Sequence, residues 1–214
     1  MDTGRTEGAG RGGARLATPI TLTAGSHGNI EDGACIMEFV AYLADEPWSD
    51  RPQCVCPALT SYAIGLNDRG PQWVRDALKE RAPRFINTRG SVESQKARLR
   101  IFAEAAIKSA ESVLPLFHKR RPDDDRPAKA IQAAKDLLAG KISRRDAAYA
   151  AGAADAADAA DAAGAAYAAY AAGAADAAYA AGAADAKRKN WNAHLAALDA
   201  ALALNEAAVA ETAA

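Results

Sequence analysis

The chain has 214 residues with 26 Lys/Arg against 27 Asp/Glu, a net charge of −1, which gives no overall bias toward nucleic acid or an anionic membrane surface. No apolar run approaches the length of a bilayer span, and the N-terminus lacks the apolar middle of a signal peptide, so a cytoplasmic protein is expected. Three cysteines, an odd number, fit a reducing compartment better than a disulfide framework.

In chain order, residues 1–17 are rich in Gly and Arg, too poor in apolar groups to fold, and are expected to form a disordered tail. Residues 18–90 are expected to form a helical, cysteine-containing subdomain. Pro19 to Thr23 is apolar and β-branched, a short extended piece, and Gly25 to Gly28 turns. Ile36, Phe39, Val40 and Leu43 mark one helical face, predicting a helix from Glu31 to Ala44. Asp45 to Pro57 holds three prolines and reads as a loop anchored by Trp48. Ala58 to Leu66 follows as a helix with Leu59, Tyr62 and Leu66 inward. Pro71 opens another carrying Trp73, Ala77 and Leu78, and Pro83 to Gly90 is a connection or a short helical turn.

Residues 91–214 are expected to form an Ala-rich helical domain. Ser91 starts a long helix whose Leu99, Phe102, Ala106, Ala110, Val113 and Phe117 follow three-four spacing. Lys119 to Asp125 is a charged turn with Asp125 as N-cap. The next helix turns Ile131, Ala134 and Leu138 inward and ends at Gly140. From Asp146 to His194 every third residue departs from a background of Ala-Ala, and Ser143 with Asp146 forms the start. Alanine makes a long helix the default, although four glycines inside the tract each cost about 1 kcal/mol. A three-residue step drifts around a helix and returns after about eighteen residues, so a Gly/Tyr side and an Asp side emerge. Slippage of a short GC-rich DNA repeat accounts for the tract's origin. The absence of Thr argues against an ice-binding helix. Lys187-Arg188-Lys189 reads as a break before a last amphipathic stretch with Leu195, Leu198, Leu202 and Val209.

The fold class that follows is all-α, an array of antiparallel helices with one long Ala-rich helix and a disordered N-terminal tail. Charge is uneven along it. Residues 95–145 hold thirteen Lys/Arg against six Asp/Glu, and residues 146–186 hold six Asp and no base. Successive opposite segments suit helix packing and solubility, so nucleic acid is not the expected partner.

Candidate chemistry is sparse. Cys35 with Cys54-x-Cys56 and His27 could supply three thiolates and an imidazole to a tetrahedral zinc. Small buried thiols near Trp48, or a strained Cys54/Cys56 disulfide, are the competing readings. No zinc or other cofactor is otherwise implied, no histidine is tied to a cysteine by a local signature, and no phosphate loop is present. Asp155, Asp158, Asp161 and Asp176 gather on the acidic side of the tract and are the candidate partner-binding residues. Arg188, Trp191 and His194 continue the three-residue series, where packing of Trp191 competes with partner binding.

From Leu116 onward the chain resembles the alanine-rich immunity-protein domains of bacterial polymorphic-toxin systems. The resemblance rests on Asp125-Arg126-Pro127, Ala130-Ile131, Ala133-Ala134-Lys135, Gly140-Lys141-Ile142-Ser143 and the tract itself, with Arg98-Leu99-Arg100 opening the helix that leads in. The tract here carries Asp and Tyr where those domains usually carry Arg and His. Glu46-Pro47-Trp48-Ser49-Asp50-Arg51-Pro52-Gln53-Cys54-Val55-Cys56-Pro57 and Asp32 to Glu38 are similar to uncharacterised proteins of high-GC bacteria and their phages. The resemblance implies a non-enzymatic protein-binding module that neutralises or holds a partner protein such as a toxin, through helix faces. Two readings from other classes stand beside it: a zinc- or thiol-dependent protein centred on Cys35, Cys54 and Cys56, and a structural component acting by self-association. The residues leave the oligomeric state open.

Overall fold

A computed structural model describes residues 20–120, 122–143, 145–147 and 184–212. The expected tail at 1–17 and most of the alanine tract lie outside them. Among the described residues the chain is all-α: α1 (Ile36–Leu43), α2 (Pro57–Arg69), α3 (Gln72–Phe85), α4 (Val92–Arg120), α5 (Arg126–Leu138) and α6 (Ala184–Thr212). Among the described residues there is no strand; a parallel bridge between Leu22 and Ala34 closes the segment before α1.

The first helix starts five residues later than its apolar spacing suggests. Asn29 Oδ1 accepts from the backbone N–H groups of Glu31 (2.9 Å) and Asp32 (3.1 Å), holding those acids in a turn. The cap is Cys35, whose Sγ accepts from Glu38 N, while the Glu38 carboxylate accepts from Cys35 N, a capping box with a thiol in the usual hydroxyl place. Pro57 occupies the first turn of α2, where its missing N–H is harmless. Between α2 and α3 the chain passes Gly70 so closely that a Cβ there would lie 2.4 Å from Leu66 O. The third helix runs on through Pro83 to Phe85, so the expected connection at 83–90 begins as its last turn.

The long helix α4 begins as predicted, with Ser91 Oγ accepting from Ser94 N (3.2 Å). Asp125 precedes α5 without capping it through its side chain; it pairs with Lys129 instead, and Asp124 Oδ1 accepts from Arg126 N (3.2 Å). Ala133 is the buried residue of α5; Ile131, Ala134 and Leu138 are half-buried. Gly140, at φ +69°, ends the helix in the left-handed region that favours glycine. Ser143 and Asp146 then form a reciprocal cap, Asp146 N donating to Ser143 Oγ (3.2 Å) and Ser143 N to Asp146 Oδ2 (3.3 Å). The predicted break at Lys187–Lys189 is absent: α6 runs through it, and the Arg188 guanidinium lies 5.6 Å from the Trp73 ring centroid.

One hydrophobic core joins the elements. Leu22, Ile36, Val40, Leu59, Tyr62, Leu78 and Phe85 from the front of the chain meet Phe102 of α4 and Trp191, Leu195, Leu198 and Leu202 of α6. Tyr62 and Phe102 stack with ring centroids 3.8 Å apart and an interplanar angle of 7°. The expected boundary near residue 90 falls between α3 and α4, and the core runs across it.

Two polar ties cross the same seam. Arg98 is fully buried, donating from Nη1 to Thr88 O (3.0 Å) and from Nε to Ala201 O (3.2 Å). Asp199 of α6 receives Arg81 (2.7 Å) and Arg84 (2.6 Å) of α3.

Candidate functional site

The front of the chain gathers its polar groups around Glu38. Its carboxylate is buried, yet it accepts from His27 N (2.6 Å), His27 Nδ1 (2.9 Å) and Cys35 N (2.7 Å). Burial alone would raise its pKa, but the backbone N–H groups of Cys35 and His27 and the imidazole outweigh this and hold the carboxyl below its ordinary value. The ionised Glu38 has no proton to donate, so Nδ1 of His27 is the nitrogen that donates to it, and Nε2 lies 2.8 Å from Thr23 Oγ1. Trp48 Nε1 donates to His27 O (2.8 Å), so the loop anchor predicted for Trp48 is tied to this node.

The four residues expected to hold zinc are distributed differently. Cys35 and His27 meet at Glu38, where Cys35 is engaged as a helix cap and burial pushes its thiol up to about 12. Cys54 sits instead against Glu46, whose carboxylate accepts from Gln53 N (2.5 Å) and Cys54 N (2.8 Å). Burial, then the Glu46 side chain, raises the Cys54 thiol above its ordinary value, the opposite of what a reactive thiolate needs. Cys56 is buried, its N–H bonded to Thr88 Oγ1 (3.1 Å). All three thiols are free, and among the described residues no group of three or more His, Cys, Asp or Glu side chains converges as a metal site would.

A second polar cluster lies in the seam of α2, α4 and α6. Burial pushes the Tyr62 phenol up, so it keeps its proton and donates to His194 Nδ1 at 2.7 Å. Burial also lowers His194 to about 4, keeping the ring neutral at pH 7. One turn away, Ser112 Oγ donates to Asn190 Oδ1 (2.9 Å). Ser109 Oγ, Asn190 Nδ2, Trp191 Nε1 and His194 Nε2 are buried here without a hydrogen-bond partner among the described residues. Periodicity placed Trp191 and His194 on one series, but neither the Tyr62–His194 bond, 132 residues apart in sequence, nor the buried Arg98 had a local signal.

Asp155, Asp158, Asp161 and Asp176 lie outside the described residues, as do the tract tyrosines. No helix among the described residues is long and apolar enough to cross a membrane.

Among the described residues the long pair α4 and α6 holds the helical array together. The chain belongs to the family described as Imm-5 like putative immunity protein, whose sequence model matches residues 91–212, from the start of α4 to the end of α6. No curated protein and no solved structure matches the chain.

Proposed function

We propose that the protein is an immunity protein that neutralises a partner protein, a toxin, by holding and occluding it without chemistry of its own on that partner. The family match carries this reading, because it spans α4, α5 and α6 together with the alanine tract between them. The six Asp and no Lys or Arg between 146 and 186 favour a basic partner surface, with Asp155, Asp158, Asp161 and Asp176 supplying charge that steers the encounter.

Tagged purification from the native host, washed at moderate salt and read by mass spectrometry, tests the holding step. One stoichiometric partner whose production alone is toxic, and whose toxicity this chain suppresses, is the expected result. A partnerless protein would overturn it. With the partner in hand, changing the four aspartates to Asn slows association and flattens its salt dependence; an unchanged on-rate across salt removes their assigned role.

A further inference from the structure

The front of the chain lies outside the family match, and it carries an arrangement that partner holding does not use. Thr23, His27 and Glu38 form a continuous hydroxyl–imidazole–carboxylate chain, with Thr23 Oγ1 to His27 Nε2 at 2.8 Å and His27 Nδ1 to Glu38 Oε2 at 2.9 Å. Its geometry is that of an activated nucleophile: a buried acid fixes Nδ1 as the N–H nitrogen, and in the neutral imidazole the Nε2 lone pair is left to accept from the hydroxyl of an exposed threonine.

Two features separate this from an ordinary surface network. The carboxylate is immobilised by the backbone N–H groups of His27 (2.6 Å) and Cys35 (2.7 Å), and the backbone that carries the imidazole is tied down by the Trp48 bond to His27 O. The base therefore sits on a packed support rather than on a free side chain. The chain beside the hydroxyl is Gly33, at φ +119°, where a Cβ would stand 2.9 Å from Thr23 Oγ1 and 3.2 Å from His27 Nε2. A residue without a side chain leaves the reacting pair uncovered, and its backbone conformation is one that other residues rarely adopt.

We propose that Thr23 is an acyl-accepting nucleophile, with His27 as its general base and Glu38 as the residue that positions the base, taking small activated acyl esters from solvent. Thr23 Oγ attacks the ester carbonyl carbon and forms the new C–O bond while its proton passes to His27 Nε2. The adduct collapses with cleavage of the bond to the leaving alcohol or phenol, which takes the proton from Nε2. Water repeats the sequence in reverse order to release the acid and restore the hydroxyl. No oxidant, metal or cofactor enters the balance.

The test uses the full chain with p-nitrophenyl acetate as the probe. A nitrophenolate burst of one equivalent, with acetyl mapped to Thr23 by peptide mass spectrometry, is expected. Thr23→Ala abolishes it and Thr23→Ser restores it. His27→Gln slows it by about 100-fold or more, the range general-base catalysis supplies. Glu38→Gln moves the His27 proton from Nδ1, read in imidazole nitrogen chemical shifts, and slows acylation in step. Thr23 is exposed, so melting curves of its variants should match the parent and keep the result clear of misfolding. Acetylation confined to lysines, or an equal Thr23 rate in His27→Gln, overturns the assignment. Either result leaves the immunity reading untouched, since that depends on partner capture.

Discussion

Lowering the pH should weaken this fold through His194 before it weakens it through any carboxylate. The ring is buried against Tyr62 and Trp191, and its pKa falls from 6.5 to about 4 because burial penalises the imidazolium. The folded state therefore binds its proton later than the unfolded state does. Stability is complete above the unfolded value, declines as pH falls from 6.5 toward 4, and loses nothing further from this group below that. A shift of this size corresponds to about 3 kcal/mol in full, of which about 2 kcal/mol is lost between pH 7 and pH 5. Carboxylates held low by their partners, Glu38 and Asp199 among them, withdraw their contributions as pH falls below their unfolded values of 4.5 and 3.8, where most of the His194 contribution has already gone. Urea unfolding at pH 7, 6 and 5 reads the slope directly. In His194→Gln, which keeps a polar group at the site and has no titration, the loss between pH 7 and 5 should nearly vanish. The same slope in parent and variant would refute the assignment.

Substitutions at three positions follow from the same seam. Tyr62→Phe keeps the stack on Phe102 but leaves His194 Nδ1 buried without a donor, and should cost about 1–3 kcal/mol in the urea midpoint with the m-value unchanged. Arg98→Lys should destabilise more than Arg98→Met, by about 1 kcal/mol or more, because a buried ammonium cannot span the carbonyls of Thr88 and Ala201 whereas Met removes the charge; the reverse order in denaturant melts would count against the carbonyl ties. Asp199→Asn should cost under about 1 kcal/mol and lose its effect in high salt, since the Asp199 side chain is 36% exposed and its pairs with Arg81 and Arg84 are screened; a salt-independent cost would mean that the pairs act as buried ones.

Where helices lie was legible wherever apolar spacing and a polar cap coincided, as at Ser91 for α4 and at Ser143 with Asp146. It failed where the signal was chemical rather than periodic. Cysteine is not among the preferred capping residues, so the acids at Glu31 and Asp32 drew the start of α1 forward while the thiol of Cys35 supplies the cap. Lys187 to Lys189 looked like a boundary because a charge cluster interrupts alanine. Lys and Arg are good helix formers, however, and Arg188 finds Trp73 across the seam, so nothing stops α6 there. Along α4 the assigned inward series began at Leu99. The buried residue is Arg98, one position earlier, and the four-residue step from it reaches Phe102 and Ala106. A guanidinium can hold that position only because two backbone carbonyls distant in sequence are waiting for it, which no local pattern reveals. The same holds at Glu38, an acid on an apolar helix that is buried because three N–H donors meet its carboxylate.

These ties bear on how the family part and the front depend on each other. The family match begins at residue 91, yet the faces that α4 and α6 turn inward are covered by the front: Phe102 by Tyr62, His194 by the same phenol, and Leu198 and Leu202 within the core that contains Leu59, Leu78 and Phe85. Burial of one such leucine contributes about 1.5–3 kcal/mol, and the two are fully buried. Arg98 and Asp199 add hydrogen bonds that are satisfied only when the segment up to Thr88 is in place. The front therefore acts as the other half of the core on which the helices of the family-matched part are laid. The faces of α4 and α6 that the front covers are therefore closed to the partner proposed above.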